Sequence, residues 1–169
     1  SSDVCSSDLD YILEIYEYVH QILPLSRKRE DNFIAGHSMG GYGTIKFALT
    51  QSDKFAKAAP LSAVFEAQRF IDLDWTDFSP QSITGNNTQI KGTELDTYYL
   101  LDQAIDANVD IPELFIMCGK EDFLYHDNLQ FIETLNKKGV SYKFEDGPGD
   151  HDYAYWDRAI KRAIKWFVQ

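Results

Sequence analysis

Gly36-His37-Ser38-Met39-Gly40 is a G-x-S-x-G pentapeptide that joins a short apolar run, Asn32-Phe33-Ile34-Ala35, to a helical segment. This pattern between a strand and a helix predicts a nucleophile elbow, a sharp turn that exposes the serine hydroxyl. Strained backbone at such a serine requires small residues two positions away on either side, and both of those positions are glycine. We therefore expect Ser38 to be a nucleophile. The alternative is a tight glycine turn with a solvent-exposed serine.

An acid candidate follows a second apolar run. Pro112-Glu113-Leu114-Phe115-Ile116-Met117-Cys118-Gly119 is typical of a strand buried on both faces of a parallel sheet. The loop after this strand lies where α/β sheets hold their sites. A nucleophilic serine needs a base, and an acid orients that base. We assign the acid to Asp122, with Glu121 as the neighbouring alternative and Asp127, inside the next helix, as a weaker one.

The base candidate is His151, in the loop Gly147-Pro148-Gly149-Asp150-His151-Asp152. The loop separates a segment of alternating polarity from a final amphipathic helix, and its glycines and proline favour a turn that holds an imidazole over the elbow. The order serine, acid, histidine is that of α/β-hydrolases. The other histidines are less well placed, on a helix, at the variable elbow position and at a helix start: His20, His37 and His126.

Three blocks of sequence carry a resemblance to a known family. They are Gly-His-Ser-Met-Gly-Gly-Tyr-Gly, then Cys-Gly-Lys-Glu-Asp-Phe-Leu-Tyr, then Gly-Asp-His-Asp-Tyr-Ala-Tyr-Trp. From about Leu9 to its end, the chain resembles the esterase D and tributyrin-esterase branch of the α/β-hydrolases. That branch lies near the S-formylglutathione hydrolases and the acetyl-xylan and feruloyl esterases. The resemblance implies a parallel sheet with flanking helices, and it implies Ser38 as nucleophile, Asp122 as acid and His151 as base.

These expectations describe a serine carboxylesterase that hydrolyses short-chain acyl esters through an acyl-enzyme. The Met39 N–H would be one donor of its oxyanion hole. A carbohydrate esterase of the acetyl-xylan or feruloyl type, a thioesterase and a non-catalytic fragment of such a hydrolase remain as alternatives. The expected partner is a small-molecule ester, and no cofactor is expected. The Asp150-His151-Asp152 cluster also suggests a metal site, but it has no spaced partner such as H-x-x-x-H, so we expect no metal.

Members of that branch carry several strands ahead of the elbow, whereas here a single helix precedes the elbow strand. We therefore expect residues 9–169 to form a partial α/β-hydrolase domain without its N-terminal strands. We also expect it to lack the loop that supplies a second oxyanion donor, a loss of about 10²–10³ in turnover. Residues 1–8 are a low-complexity serine and aspartate stretch. They predict a disordered leader, and they resemble translated sequencing-adapter read-through, which indicates an artefact.

Composition narrows the class of protein. A chain of 169 residues with 44% hydrophobic content is long enough for one domain with a core. The net charge of −11 argues against nucleic acid and anionic membranes as partners. Two cysteines form no disulfide framework and indicate a reducing compartment, hence a cytoplasmic location.

Hydrophobic periodicity predicts further elements around the motifs. Predicted helices cover about residues 9–23, 97–107, 125–138 and 156–167, and predicted strands cover 57–63 and an edge strand from Val140. Pro60 is awkward in a central strand because proline has no N–H. Gly41 and Gly43 are expected to let the elbow helix lie close to its strand.

The regular pattern fades between about residues 64 and 110, which predicts a loop-rich insertion. Insertions after the strand predicted at residues 57–63 form caps over the active site in many α/β-hydrolases. Three aromatic residues of the segment predict an acyl or alcohol pocket, and equally they are the apolar anchors that such an insertion needs: Phe65, Trp75 and Phe78.

Overall fold

The computed structural model describes residues 4–72 and 89–169, and at their centre lies a parallel sheet in the order β1-β2-β3-β4. Its strands are β1 Phe33–His37, β2 Lys57–Leu61, β3 Glu113–Gly119 and β4 Tyr142–Gly147. The described helices are α1 Val4–Ile22, α2 Met39–Thr50, α3 Ala67–Asp72, α4 Thr97–Asp106, α5 Tyr125–Lys138 and α6 Tyr153–Phe167, with a 3₁₀ turn at Arg29–Asp31. Parallel strands need such crossover helices. The α/β architecture predicted from the sequence is therefore confirmed.

Strand β3 is buried on both faces, as its unbroken apolar run predicts. Leu114 and Ile116 belong to a layer formed with α2, α4 and α5, whereas Phe115 and Met117 belong to a layer formed with α6. Successive side chains of a strand point to opposite faces, so one strand joins the two layers. The first layer also contains Ile45, Leu101, Phe131 and Leu135, and the second contains Leu61, Trp156, Ala159 and Ala163.

Pro60 is accommodated inside the sheet by an interrupted ladder. It pairs with Gly36 of β1, but the register between β2 and β3 passes from Ala58 to Leu61 without pairing the residues between them. Because proline cannot donate a hydrogen bond, an interruption at this point removes the need for one. The predicted strand is present, and its pairing with β3 resumes at Leu61 without a shift of register.

Helix α1 begins earlier than the sequence pattern predicted. Residues 4–8, which we had assigned to a disordered leader, are helical in the structure, and this corrects that assignment. The segment from Val4 to Ile22 contains no glycine or proline, and each residue added to a helix gains one hydrogen bond. The helix ends before Pro24 as predicted. Among the described residues, no helix is both long enough and apolar enough to span a bilayer.

Helix α2 lies close to the chain that leaves β2 because Gly41 faces it. A Cβ atom at Gly41 would lie 2.7 Å from the Cβ of Ala63, closer than two such atoms can approach. A Cβ atom at Gly43 would meet nothing within 4 Å. The close approach predicted for both glycines therefore depends on Gly41 alone.

We expect Gly41→Ala to lower the free energy of unfolding by about 1–3 kcal/mol, because its methyl group overpacks against Ala63. Gly43→Ala is the matched control on the same helix, and it should raise the free energy of unfolding by about 0.5–1 kcal/mol by restricting the unfolded backbone. Urea unfolding followed by circular dichroism measures both. Equal effects of the two substitutions would contradict the close contact at Gly41.

Candidate active site

Ser38 lies at the turn between β1 and α2, in a backbone conformation that non-glycine residues rarely adopt. Its φ is 54° and its ψ is −118°, a strain of about 1–3 kcal/mol. The Ser38 N–H donates to the carbonyl of Leu61 at 2.9 Å, and the Ser38 carbonyl accepts from the Tyr42 N–H at 3.1 Å. A side chain at Gly36 would collide with the carbonyl of Gly40, whereas Gly40 itself has open space around it. The backbone forms the sharp turn that the pentapeptide predicts.

Backbone hydrogen bonds join the loop after β3 to the loop after β4. The Lys120 N–H donates to the carbonyl of Gly147 at 2.9 Å, and the Glu121 N–H donates to that of Gly149 at 3.1 Å. The Glu121 carboxylate in turn accepts from the Gly149 N–H at 2.6 Å. Gly119 and Gly149 touch so closely that a side chain on Gly119 would overlap the Gly149 carbonyl. These contacts fix the spacing between the two loops that carry Asp122 and His151.

A continuous series of hydrogen bonds links Ser38, His151 and Asp122. His151 Nε2 lies 2.9 Å from Ser38 Oγ, and His151 Nδ1 lies 2.9 and 3.0 Å from the two carboxylate oxygens of Asp122. A carboxylate only accepts, so Nδ1 carries the proton and donates it toward Asp122. Nε2 then presents its lone pair to the Ser38 hydroxyl. The Asp122 side chain is 0% exposed and that of His151 is 16% exposed, so the series runs from the interior to the surface.

Asp122 stays ionised although it is buried. Burial by itself raises its pKa, but the hydrogen bonds from His151 and from the backbone N–H of Leu124, together with the nearby Ser62 side chain, outweigh that effect, and the pKa lies below its ordinary value. The Leu124 N–H donates to Asp122 Oδ1 at 2.8 Å. At neutral pH the carboxylate can therefore orient the imidazole and stabilise a positive charge on it.

Aromatic rings surround the imidazole of His151. The Phe123 ring lies 4.5 Å from it, and the Trp156 ring meets it edge-on at 4.8 Å. The variable residue of the elbow, His37, stacks on the far side of this cluster, 4.1 Å from Trp156. Burial lowers the pKa of His37, and His151 lowers it further. His37 is therefore uncharged at neutral pH and packs as an aromatic ring that links the elbow to α6.

The Met39 N–H is the first N–H of α2 and directly follows Ser38 in the chain. The first four N–H groups of a helix have no partner within that helix, and the helix dipole favours negative charge there. Met39 is the first residue of α2, directly after Ser38. Its N–H is thus available to an oxygen that becomes negative at a carbon bonded to Ser38 Oγ, which is the position predicted for one oxyanion donor.

The alternative acids and histidines have other contacts. Glu121 binds the Gly149 N–H, and Asp127 Oδ2 accepts from the backbone N–H groups of Phe65 and Glu66 at 2.9 and 3.3 Å. His20 contacts the carbonyls of Tyr16 and Ser26, and His126 is exposed on α5. Of the residues considered from sequence, the structure thus brings Ser38, Asp122 and His151 together. No group of three or more metal-ligating side chains occurs within the described ranges.

Phe65 is a core residue, which corrects the expectation that it lines a pocket. It is 0% exposed, and its ring stacks on Phe131 with centroids 3.9 Å apart. Its N–H donates to Asp127 of α5 at 2.9 Å, so the backbone and the ring of Phe65 both contact that helix. The other two predicted pocket residues, Trp75 and Phe78, lie outside the described residues.

Two residues near the site were not identified from the sequence. Ser62, at the end of β2, is fully buried with a φ of 44° and contributes to the lowered pKa of Asp122. Phe123 follows Asp122 and is 47% exposed although it contacts His151. No local pattern distinguishes a serine that ends a buried strand. For Phe123, its position directly after the candidate acid was a local signal that could have predicted its place near the site.

Comparison with known proteins agrees with this arrangement. A family model described as Putative esterase matches residues 11–167. The solved structure of FphF, a fluorophosphonate-binding serine hydrolase of Staphylococcus aureus, is 71% identical with a TM-score of 0.90, and the match covers 95% of this chain and 63% of that one. The crystal structure of FrmB from Staphylococcus aureus, described as an S-formylglutathione hydrolase, is 71% identical with a TM-score of 0.88 and the same coverage.

A curated relative extends the comparison. The acetyl esterase of Caldicellulosiruptor saccharolyticus is 28% identical over 160 residues, which are 90% of this chain and 60% of the relative. The chain thus spans about three fifths of the length of these relatives. Together these matches confirm the α/β-hydrolase fold and the resemblance to the esterase branch near the S-formylglutathione hydrolases.

Asp127 should make the stability of the domain depend on pH. Burial raises its pKa to about 6. Between its unfolded value near 4 and this folded value, the native state keeps a proton that the unfolded chain releases, so the contribution of Asp127 to stability falls as pH rises. We expect Asp127→Asn, which keeps an acceptor for the two N–H groups, to remove this contribution.

Chemical unfolding of Asp127→Asn and wild type at pH 4 to 7 tests this. The free energy of unfolding of the variant minus that of the wild type should increase from pH 4 to about 6, by at most about 3 kcal/mol, and then level off. A difference that stays constant across the range would contradict the protonation of Asp127 in the folded state.

Proposed function

Since the chain belongs to the esterase family whose model matches residues 11–167, we propose that it is a serine carboxylesterase acting on short-chain acyl esters. The observation that carries the proposal is the hydrogen-bonded series from Ser38 Oγ through His151 to Asp122. A hydroxyl, an imidazole and a carboxylate in this order are a nucleophile, its base and the acid that orients the base. The 71% identity to FphF, which is described as a fluorophosphonate-binding serine hydrolase, supports a reactive serine here.

In the proposed acylation step, His151 Nε2 takes the proton of Ser38 as Oγ attacks the ester carbonyl. The carbonyl oxygen becomes an oxyanion, and the Met39 N–H donates to it. The bond between carbon and the alcohol oxygen then breaks, and His151 Nε2 returns its proton to that oxygen. Asp122 accepts from Nδ1 throughout and stabilises the imidazolium. The products of this step are the free alcohol and an acyl group on Ser38.

In the proposed deacylation step, water takes the place of the alcohol. His151 removes a proton from the water as it attacks the acyl carbon, and the same proton then restores the Ser38 hydroxyl. The net reaction consumes one ester and one water and yields one acid and one alcohol. All proton transfers pass through Nε2, so both steps depend on the imidazole position that Asp122 fixes.

The relatives suggest two candidates for the acyl group of the substrate. The 28% identical relative is described as an acetyl esterase, which favours a small acyl group. The 71% identical FrmB is described as an S-formylglutathione hydrolase, which makes a formyl thioester the second candidate. Both acyl groups are short, so assays with acetyl, butyryl and formyl donors compare the candidates directly.

The length of the chain determines how the proposal is tested. α/β-hydrolases take a second oxyanion donor from a loop after an early strand. Among the described residues β1 pairs with β2 alone, so its outer edge has backbone groups free to bind another strand. We therefore propose assays on the 169-residue chain beside an extended chain, preceded by the FphF segment that comes before the matched region.

The first test is acyl-enzyme formation with p-nitrophenyl acetate and butyrate. We expect a burst of p-nitrophenol equal to the concentration of Ser38 in the extended chain. In the shorter chain the rate of p-nitrophenol release should be lower by about 10²–10³, because that is what one oxyanion donor contributes to turnover. Ser38→Ala should abolish the burst in both. Hydrolysis by Ser38→Ala at the wild-type rate would contradict the assignment of Ser38 as the nucleophile.

Fluorophosphonate labelling is the control for this test, because it needs an activated serine but no turnover. A folded chain of either length whose Ser38 does not react would favour the non-catalytic alternative. Labelling without hydrolysis of either ester would instead direct the search to S-formylglutathione.

The second test separates the two candidate acids. We expect Asp122→Asn to lower kcat by about 10⁴-fold, because an amide at this position stabilises the wrong imidazole tautomer and no positive charge. Glu121→Gln is the matched control, since its side-chain oxygen can still accept from the Gly149 N–H. It should change kcat by less than about tenfold. Steady-state kinetics at pH 7 measure both, and a larger loss in Glu121→Gln would reverse the assignment.

A further inference from the structure

We propose that Tyr125 and Asp146 are positioning residues for the acid Asp122. Their hydrogen bond ties the loop of the acid to β4, the strand that leads to His151. The role assigned to this pair rests on the proposed function, since a positioning residue acts through a catalytic group. It adds to the site two side chains outside the series of hydrogen bonds that begins at Ser38.

The loop after β3 is attached to the β4 side of the sheet on both sides of Asp122. Before the acid, the backbone N–H groups of Lys120 and Glu121 donate to carbonyls of the loop after β4. After the acid, Tyr125 begins α5, and its hydroxyl donates to Asp146 Oδ2 at 2.6 Å. Asp122 therefore lies between two attachments, of which the second is made by side chains.

The bond between Tyr125 and Asp146 has the geometry of a strong hydrogen bond. A separation of 2.6 Å is typical of a hydroxyl that donates to an ionised carboxylate. The hydrogen bond to Asp146 raises the pKa of Tyr125 to about 12, so the phenol keeps its proton in an assay near neutral pH. Lys120 Nζ lies 3.6 Å from Asp146 Oδ1, but its side chain is 54% exposed, so this ion pair contributes little.

Tyr125 transmits the position of β4 to the acid through its backbone. Its N–H donates to the carbonyl of Asp122 at 2.9 Å, which keeps the two residues at a fixed separation. Asp146 pairs with Cys118 of β3, and from Asp146 the chain continues through the loop after β4 to His151. The contacts therefore form a closed ring, from Asp146 through Tyr125 and the acid to the base, and back along the chain.

The position of the acid matters because it sets the position of the base. Both carboxylate oxygens of Asp122 lie within 3.0 Å of His151 Nδ1. A catalytic group has to be held within about 0.5 Å of its productive place, so a small shift of the acid misaligns the imidazole with Ser38 Oγ. Loss of the Tyr125 hydroxyl should therefore lower kcat, whereas KM should change little because the pair acts through the acid.

Tyr125→Phe tests the pair because it removes one oxygen atom and keeps the ring. We expect kcat for p-nitrophenyl acetate to fall by about tenfold, with KM within about twofold of the wild type. Tyr142→Phe is the matched control, since it removes a hydroxyl from the first residue of β4, at the end of the strand far from the site. It should leave kcat within about twofold of the wild type. All ratios are taken within one form of the protein, the 169-residue or the extended chain.

Two readouts separate positioning from a general loss of structure. In the Asp122→Asn background, Tyr125→Phe should change kcat by less than about twofold, because the acid through which the pair acts is gone. The second readout is the proton NMR signal of the His151 Nδ1–H, which the bond to Asp122 moves downfield. This signal should move upfield in Tyr125→Phe and disappear in Asp122→Asn, where the other tautomer is favoured.

Tyr125 and Asp146 should behave as one unit. We expect Asp146→Ala to lower kcat about as much as Tyr125→Phe, and the double variant to lose no more than Asp146→Ala alone. Asp146→Asn keeps an oxygen that accepts from the Tyr125 hydroxyl, so it should recover most of the kcat that Asp146→Ala loses. Circular dichroism shows whether each variant is folded. If Tyr125→Phe is not, the comparison of Asp146→Ala with Asp146→Asn replaces it.

Three results would overturn the role of this pair. They are an unchanged kcat in Tyr125→Phe, equal losses in the wild-type and Asp122→Asn backgrounds, and losses that multiply in the double variant. Failure of the proposed function looks different, because wild-type protein in both forms would then leave Ser38 unacylated. In that case the NMR signal still decides whether Tyr125 positions the acid, and an unshifted signal in Tyr125→Phe would show that it does not.

Discussion

The strands of the sheet all run in the same direction, and this alignment is the constraint on which the site depends. Each parallel strand ends at the same edge, so the residues that follow β1, β3 and β4 meet there although they are distant in sequence. Ser38 and His151 are 113 residues apart along the chain, yet 2.9 Å separates Ser38 Oγ from His151 Nε2. A slip of one residue in any strand would move its loop by about 3.3 Å, more than a hydrogen bond tolerates.

The alignment places the loops, and local contacts then fix their spacing. The ladder between β3 and β4 continues past the strands, through the bonds of Lys120 and Glu121 to the loop of His151. On the other side, His37 and Trp156 join the elbow to α6 by stacking. The imidazole is therefore held by a carboxylate from one side and by packed rings from another. A base held in this way loses little conformational freedom when it moves a proton.

The charge state of the buried acid Asp122 depends on the hydrogen bonds that surround it. A buried carboxylate is costly unless hydrogen bonds compensate it, and Asp122 receives them from His151 and the Leu124 N–H. The nearby Asp127 is also buried, but its pKa is raised, because two backbone N–H groups do not offset its desolvation. Two carboxylates five residues apart thus differ in charge state near pH 5. The difference comes from their partners, and residue type alone does not reveal it.

Much of this could be predicted from the sequence because the signals are local. The elbow pentapeptide, the apolar run of β3 and the glycine-rich loop around His151 each reflect what a short segment of chain can do. The order of these segments was sufficient to select Ser38, Asp122 and His151. Their catalytic roles remain a proposal that the geometry supports.

The predictions that were wrong concern packing between distant segments. Phe65 looked like a pocket residue, but it stacks on Phe131 of α5. Gly43 looked as necessary as Gly41, but only Gly41 faces Ala63. Helix α1 extends to Val4, and no glycine or proline interrupts the segment from Val4 to Ile22.

The sequence alone therefore predicts the strands, the elbow, the candidate site residues and every described helix except α3, because each of these follows from hydrophobic periodicity and backbone chemistry over a few residues. The distances within the site, the unequal pKa values of Asp122 and Asp127 and the exposure of Phe123 arise only on folding. They depend on which groups from remote segments become neighbours, and hydrogen bonding and desolvation act between such neighbours in space.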